Sequence, residues 1–456
     1  METERAYQET LDYLYSYVDY SLQKNLQYSP EKFTLDRIRA FAKLLGNPHE
    51  RYPTIHVAGS KGKGSVAALC ASVLQAQGYR VGFYISPHLS DYNERIQVDG
   101  VPISHLELVE LVNRLKPEIE SIPKLSTFDI TTALAYQYFA EKEVDLAVIE
   151  VGLGGRLDAT NIITPKVSVI TSLVYEHTAL LGNTLTQIAA EKGGIIKPGV
   201  PVVLSPQKDE ARETIEQIAG ARNARLIKVG QDYLYAPVSH SIDGQTFLVW
   251  SKEEQDLLNE YIEAGDGTEW SPTRLRIPLL GYHQVENAVT AYAALETLKE
   301  EGTPVSEQAI VEGFERVKWP GRFEVLRKNP PVVVDSAHTR ESALKLRLAM
   351  EDYFPGLPVV LIFGASEDKD IEGMFSELVP RIQRVVATKA NHPRALEPEK
   401  LVELANRFGR SGYVIENPAE ALETALREAG SECAILVAGS IFIAAEVRDA
   451  WFAKMK

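Results

Sequence analysis

Thr54-Ile55-His56-Val57-Ala58-Gly59-Ser60-Lys61-Gly62-Lys63-Gly64-Ser65 is the stretch whose reading decides the fold of this chain. Its first five residues read as a short strand, and the glycines after them allow a tight turn. From about Ser65 to Gln77 the chain reads as a helix that Gly78 ends, and Arg80–Ile85 reads as the next strand. Together these form a βαβ unit. In such a turn the backbone N–H groups of the loop and of the helix start can wrap an anion. Lys63 would then set its ammonium on the β- and γ-phosphates of a nucleotide, and Ser65 would offer its hydroxyl to Mg²⁺. The string departs from the common G-x-x-x-x-G-K-[ST] pattern: Val57 stands where the first glycine belongs, and Gly64 follows Lys63. A Gly-rich turn without a ligand is the plain alternative. A lysine flanked by two glycines, with a strand before and a helix after, weighs against it.

Working outward, Tyr7, Leu11, Leu14, Val18 and Leu22 form one apolar stripe at helical spacing, and a second helix is expected from about Thr34 to Leu45, stopped by Gly46-Asn47-Pro48. Further strands are expected at Leu146–Val151, Val167–Thr171 and Pro201–Leu204, with helical stretches between. Alternation of this kind predicts a mostly parallel sheet covered on both faces. The segment Ser251 to Trp270 carries seven acids against Lys252 and reads as a solvated insertion without chemistry. A long helix is expected over Gly281 to Leu298. Lys318-Trp319-Pro320-Gly321 breaks the pattern, and strands recur at Val332–Asp335, Val359–Phe363, Arg384–Ala387 and Ala434–Ala438. The expected organisation is α/β throughout: a P-loop-type N-terminal domain over 1–317, a linker at 318–321, and a smaller Rossmann-like domain over 322–456.

The chain has 456 residues and a net charge of −15, from 48 Lys and Arg against 63 Asp and Glu. That balance argues against a general nucleic-acid binder, although a local basic cluster can still hold an anionic substrate. The two cysteines, Cys70 and Cys433, exclude a disulfide framework and a Cys-rich zinc site. The start of the chain is acidic and polar, and no apolar run reaches bilayer length. A cytoplasmic location, no membrane partner and a monomeric state are the expectations.

Two other residues stand out on position alone. Glu150 ends the apolar run Leu146-Ala147-Val148-Ile149, at the strand edge where ligands gather in open α/β sheets. A carboxylate there can hold a hard cation against phosphates. His177 follows the strand Val167–Thr171 and would share that edge. An isolated histidine is more often structural than a ligand, and the shared edge favours the metal role.

The loop resembles the variant phosphate loop of Mur-type amide ligases, and further stretches narrow the resemblance to the folylpolyglutamate synthase and dihydrofolate synthase family. These are Ser86-Pro87-His88-Leu89 with Glu94-Arg95-Ile96, Glu150 through Asn161, His177-Thr178 with Leu181-Gly182, and Glu191 through Lys197. Gly281-Tyr282-His283-Gln284 with Asn287-Ala288, Gly321-Arg322 with Glu324, Asp335-Ser336-Ala337-His338 and Gly439-Ser440 complete the set, in family order from about residue 35 onward. The chain departs from the family pattern at three places. The family usually has Thr-Asn where Ser60-Lys61 stands, Asp-Gly-Ala-His-Asn where Asp335 to Thr339 stands, and an aspartate where Glu176 stands.

The resemblance implies ATP bound by Gly59, Lys61, Gly62, Gly64 and Ser65, with Gln284 and Asn287 at the adenine end and Asp335 and His338 at the nucleotide. It implies Mg²⁺ held by Ser65, Ser86 and Glu150, and a second Mg²⁺ near Glu150 and His177. Lys192 corresponds to a lysine that is carbamylated in the family and helps hold that second metal. Lys63, Lys192, Arg322 and His338 are the expected catalytic set, with Arg322 reaching phosphate from the second domain, since guanidinium matches phosphate geometry. A pterin site is implied near Ser126, Phe128 and Asp158, where Phe128 would offer a flat apolar surface. The expected reaction is ATP-dependent addition of L-glutamate to tetrahydrofolate or folylpolyglutamate, and also to dihydropteroate, through an acyl phosphate. Two alternatives stand beside it: a Mur-type ligase for a non-folate carboxylate, and a nucleotide-binding paralogue without catalysis.

Overall fold

The computed structural model describes residues 2–18, 34–264 and 270–455. The sequence from Thr54 to Lys228 builds eight strands: β1 (Thr54–Ala58), β2 (Val81–Tyr84), β3 (Ile96–Val98), β4 (Val101–Pro102), β5 (Leu146–Glu150), β6 (Val167–Ile170), β7 (Val202–Leu204) and β8 (Leu226–Lys228). They form one sheet in the order β4-β3-β2-β5-β1-β6-β7-β8. The six strands from β2 to β8 in that order are parallel, and β3, at one edge, pairs antiparallel with both β2 and β4. β1, β5 and β6 are buried along their whole length, as central strands covered on both faces must be.

Register decides where the loops emerge. Val57 lies beside Glu150 and Ala58 beside Ile170, while Tyr84 lies beside Ile149. The phosphate loop, the turn after Glu150, the segment leading to His177 and the Ser86 loop therefore leave the sheet at one edge. The helix after the phosphate loop, Lys63–Ala76, is apolar on every side; Val66, Leu69, Val73 and Leu74 are all fully buried. It packs between the sheet and two helices, Tyr282–Glu300 and Glu307–Arg316. Each such side chain contributes about 1.5–3 kcal/mol on leaving water.

A second sheet follows in the chain: β9 (Tyr233–Ser241), β10 (Gly244–Ser251) and β11 (Thr273–Ile277), antiparallel throughout. Phe247 and Val249 of β10 and Leu275 of β11 join the core of the first sheet. A third sheet holds β12 (Glu324–Lys328), β13 (Pro331–Val334), β14 (Val359–Phe363), β15 (Ile382–Ala387), β16 (Ser411–Val414) and β17 (Ala434–Ala438), in the order β12-β13-β17-β14-β15-β16. Only β12 is antiparallel. The α/β reading with two mostly parallel sheets holds, and the antiparallel sheet was not anticipated.

One expectation needs correction. The first helix runs over Glu2–Tyr15 rather than reaching residue 22, because Val18 bridges to Ser126 and Thr127 takes the carbonyls of Leu14 and Tyr17 as hydrogen-bond acceptors. Leu22 lies outside the described residues. The acidic segment is largely exposed, as a solvated insertion should be, and has order of its own: Ser251 closes β10, and a helix spans Gln255–Ala264 with Leu258 buried. Asp266 and Glu269 lie outside the described residues. No helix among the described residues is long and apolar enough to cross a membrane.

Candidate active site

The phosphate loop is gripped from three sides, and its glycines are what allow this. A Cβ on Gly59 would sit 1.8 Å from Thr171 Oγ1, one on Gly62 2.3 Å from Asn287 Oδ1, and one on Gly64 2.4 Å from the Trp319 ring. Gly62 also has φ of +90°, which an L side chain rarely adopts. The N–H groups of Ser60 and Lys61 both donate to Ser172 O, at 2.9 and 3.1 Å. Lys63 is the first residue of its helix, at the positive end of the helix dipole, where an anion is favoured. Ser65 is buried one residue beyond Gly64.

Glu150 ends β5 and is 5% exposed. Burial pushes its carboxyl up to about 6, against the pull of Lys63, the Ser86 N–H and Arg322. That N–H donates to Glu150 Oε2 at 3.3 Å. The Ser86 hydroxyl is buried and makes no hydrogen bond. A buried hydroxyl without a partner beside a carboxylate is costly unless a further group completes it, and a divalent cation fits. No group of three His, Cys, Asp or Glu among the described residues converges as a metal cage. One carboxylate and hydroxyls, completed by substrate phosphates, suits Mg²⁺.

Glu176 is the residue that the sequence reading undervalued. Its carboxylate lies between two ammoniums, Lys61 Nζ at 3.2 Å and Lys192 Nζ at 3.2 Å. These cations hold it far below the usual carboxylate range despite its burial. Lys61 and Glu176, two of the positions where the chain departs from the motif, are thus partners of each other. Lys192 is 2% exposed and also donates to Gly59 O at 2.8 Å. Burial drives its amine down to about 8, against Glu176. His177 has φ of 48° and opens the short helix Thr178–Leu181. Desolvation in the cleft, reinforced by Lys369, Lys192 and Lys63 against Glu176, depresses its imidazole to about 4, so the ring is neutral and able to act as a ligand.

The third sheet contributes from its own carboxyl edge. Asp335 follows β13 and accepts from the N–H groups of Phe323 and Ala337, each at 2.7 Å. Arg322 donates to Gly321 O and exerts its charge on both Asp335 and Glu150. It thereby links the two edges. His338 holds its Nδ1 against Ser336 O at 2.9 Å, and burial with the nearby Lys61 depresses its imidazole to about 3. Lys369, in the loop after β14, bears electrostatically on Lys61, His177 and His338. The sequence reading missed this lysine, which sits in the charged run Glu367-Asp368-Lys369-Asp370 and looks like a solvated loop. Gln284 and Asn287 are buried on the helix Tyr282–Glu300, with Asn287 Nδ2 donating to Gln284 Oε1 at 2.9 Å. The Asn287 amide backs the phosphate loop at Gly62.

Of the three residues expected at a pterin site, Phe128 and Asp158 meet the turn after Glu150, and each of the three has local duties. Ser126 caps the helix Thr127–Glu141 and forms a capping box with Asp129. Phe128 lies against Gly152, where a Cβ would meet its ring at 2.4 Å, and tilts toward Tyr84 with ring centroids 6.2 Å apart. Asp158 is 6% exposed and accepts from the N–H groups of Leu153 and Thr160.

Comparison with known proteins matches the Mur ligase middle domain over residues 57–295 and the Mur ligase glutamate ligase domain over residues 321–441. A dihydrofolate synthase/folylpolyglutamate synthase of Bacillus subtilis is 33% identical over 421 residues, 91% of this chain and 94% of that protein. A Mycobacterium tuberculosis folylpolyglutamate synthase complexed with ADP superposes with a TM-score of 0.85 at 30% identity, covering 98% of this chain and 99% of that one. Escherichia coli FolC in complex with DHPP and ADP gives 0.83 at 29%, covering 98% of each chain. With a phosphate loop, a buried carboxylate and an arginine from the third sheet meeting across two edges, this chain belongs to the folylpolyglutamate synthase and dihydrofolate synthase family of Mur-type ATP-dependent ligases.

Proposed function

We propose that the protein joins L-glutamate to a folate carboxylate at the expense of ATP, and that the charges of Lys63 and Arg322 both bearing on the buried Glu150 are the observation that carries this. The B. subtilis relative, named for both activities and matched along nearly its whole length, supports the folate substrate. The acceptor carboxylate attacks the γ-phosphorus of ATP, the bond to the β-phosphate oxygen breaks, and ADP leaves. The glutamate amine, having lost a proton, attacks the resulting acyl phosphate and expels phosphate, forming the amide. Lys63 and the loop N–H groups would hold the phosphates, and Arg322 would meet the charge that grows in transfer. When bound, Mg²⁺ would neutralise phosphate charge, with Ser65, Ser86 and Glu150 as its holders.

Dihydropteroate is accepted as well as reduced folates, with Ser126, Phe128 and Asp158 lining the pterin site. A second Mg²⁺ sits by Glu150 and His177. Lys192, buried and with a depressed pKa, carries a carbamate that helps hold it; on carbamylation the amine loses its charge and its place beside Glu176 becomes repulsive, which the metal would offset. The N-terminal 1–317 and C-terminal 322–456 act as two domains about the 318–321 linker, and the enzyme works as a cytoplasmic monomer. Product analysis with ATP, glutamate and either tetrahydrofolate or dihydropteroate tests the proposal. Glutamylated product from both acceptors is expected. Product from tetrahydrofolate alone removes the dihydropteroate activity, and product from neither overturns the folate reading.

A further inference from the structure

We propose that His56 is a positioning residue for the acceptor substrate, acting through Thr160 on the carboxylate of Asp158 and on the glycine turn that this carboxylate ties down. The inference rests on reading Asp158 as a substrate-side group. His56 is fully buried in the middle of β1, the strand that leads into the phosphate loop. An imidazole in the centre of a sheet is costly unless it is hydrogen-bonded. Its Nε2 lies 2.9 Å from Thr160 Oγ1, and Thr160 Oγ1 lies 2.5 Å from Asp158 Oδ1. The Thr160 N–H donates to the same oxygen at 3.0 Å, and the Leu153 N–H donates to the other at 2.8 Å.

The direction of this chain follows from proton counting. Burial pushes the Asp158 carboxyl up, while the Thr160 hydroxyl and the N–H groups of Leu153 and Thr160 pull it back. Taken as the ionised carboxylate, it has no proton to give, so the single hydroxyl proton of Thr160 goes to Asp158. Thr160 Oγ1 can then only accept from the imidazole. His56 must therefore carry its proton on Nε2, and burial keeps the ring neutral, at about 3, with Lys197 reinforcing the shift. The chain runs from His56 Nε2–H to Thr160, from Thr160 to Asp158, and meets the Leu153 N–H coming the other way. Leu153 belongs to the turn that directly follows Glu150, whose Gly152 lies against Phe128. A rigid strand of the nucleotide half thus fixes the orientation of the carboxylate and turn on the acceptor half. The Tyr136 hydroxyl, donating to Thr160 O at 2.9 Å, holds the backbone of the same residue and leaves the side-chain chain to His56 alone.

Steady-state kinetics on His56→Leu and Thr160→Val, with tetrahydrofolate, ATP and glutamate varied in turn, test this. The acceptor KM should rise about tenfold in each, the worth of one buried hydrogen bond, with the KM for ATP changed less than about twofold. His56→Gln, which returns an N–H near the Nε2 position, should recover most of the loss. The double variant should be no worse than either single one, since both cut the same chain. ¹⁵N NMR of the wild type should show the Nε2–H tautomer throughout pH 6–8, a readout that needs no variant to fold. An Nδ1–H tautomer, or an unchanged acceptor KM in His56→Leu with only a lowered melting temperature, overturns the proposal. If Asp158→Asn leaves the acceptor KM unchanged, the substrate-side reading of Asp158 is what has failed, and the tautomer still reports on the chain itself.

Discussion

The carboxyl edges of the two large sheets are built differently. At the edge of the first, Lys63 stands at a helix start, the Ser86 hydroxyl has no partner, and Glu150 is buried with a raised pKa. At the edge of the third, Asp335 is tied by two backbone N–H groups and His338 by a backbone carbonyl. The first edge keeps spare bonding capacity for a ligand, whereas the other spends it on holding its own loops. The difference teaches which half does the chemistry and which half aims: the third sheet fixes the turn that presents Arg322 toward Glu150.

If that contrast is right, Lys63→Ala should be the most damaging change. Loss of one preorganised charge stabiliser should lower kcat by about 10²–10³ with the melting temperature nearly unchanged. Near wild-type turnover would break the comparison at its base. Asp335→Ala should behave otherwise, losing stability by about 1–3 kcal/mol, because two N–H groups lose their acceptor, along with a fall in kcat as the Arg322 turn loosens. A denaturation curve run beside the kinetics separates the two effects; loss of rate with no loss of stability would make Asp335 a group of the first kind.

The contrast can be sharpened with pH. The Glu150 carboxyl titrates at about 6, above its ordinary value, so a proton competes with metal over the acidic side of neutrality. Mg²⁺ affinity should be flat above that point and weaken by about tenfold per unit below it, because binding must displace the proton. Calorimetric titration of Mg²⁺ in the presence of ADP from pH 5 to 8 reads this; affinity independent of pH would remove Glu150 as a holder. The smallest effect is expected at Ser126. As a helix cap its replacement by alanine should cost about 1 kcal/mol of stability, and any change in acceptor KM beyond what that instability explains would mark a direct contact as well.

How much of this was legible depended on whether the signal was local. The strand, turn and helix around Lys63 announce themselves in a dozen consecutive residues, and Glu150 is marked by the apolar run before it. Glu176 and Lys369 were not, because a charged residue in a loop reads as solvated until the fold brings a partner to it; Lys61 and Lys192 come to Glu176 from other parts of the chain. The antiparallel sheet was missed because Tyr233–Ser241 is mostly exposed and contains Pro237, so it lacks a clean alternation. A nearer signal was available at Ser126-Thr127-Phe128-Asp129, whose spacing is that of a capping box.

The free edge of the first sheet is expected to phosphorylate the acceptor carboxylate before the amide forms. Labelling that carboxylate with ¹⁸O and analysing the released phosphate by mass spectrometry tests it directly. One labelled oxygen in the phosphate for each amide formed is the predicted result, with ADP as the nucleotide product. Label that stays wholly in the amide and solvent, or that leaves in AMP, would contradict the account.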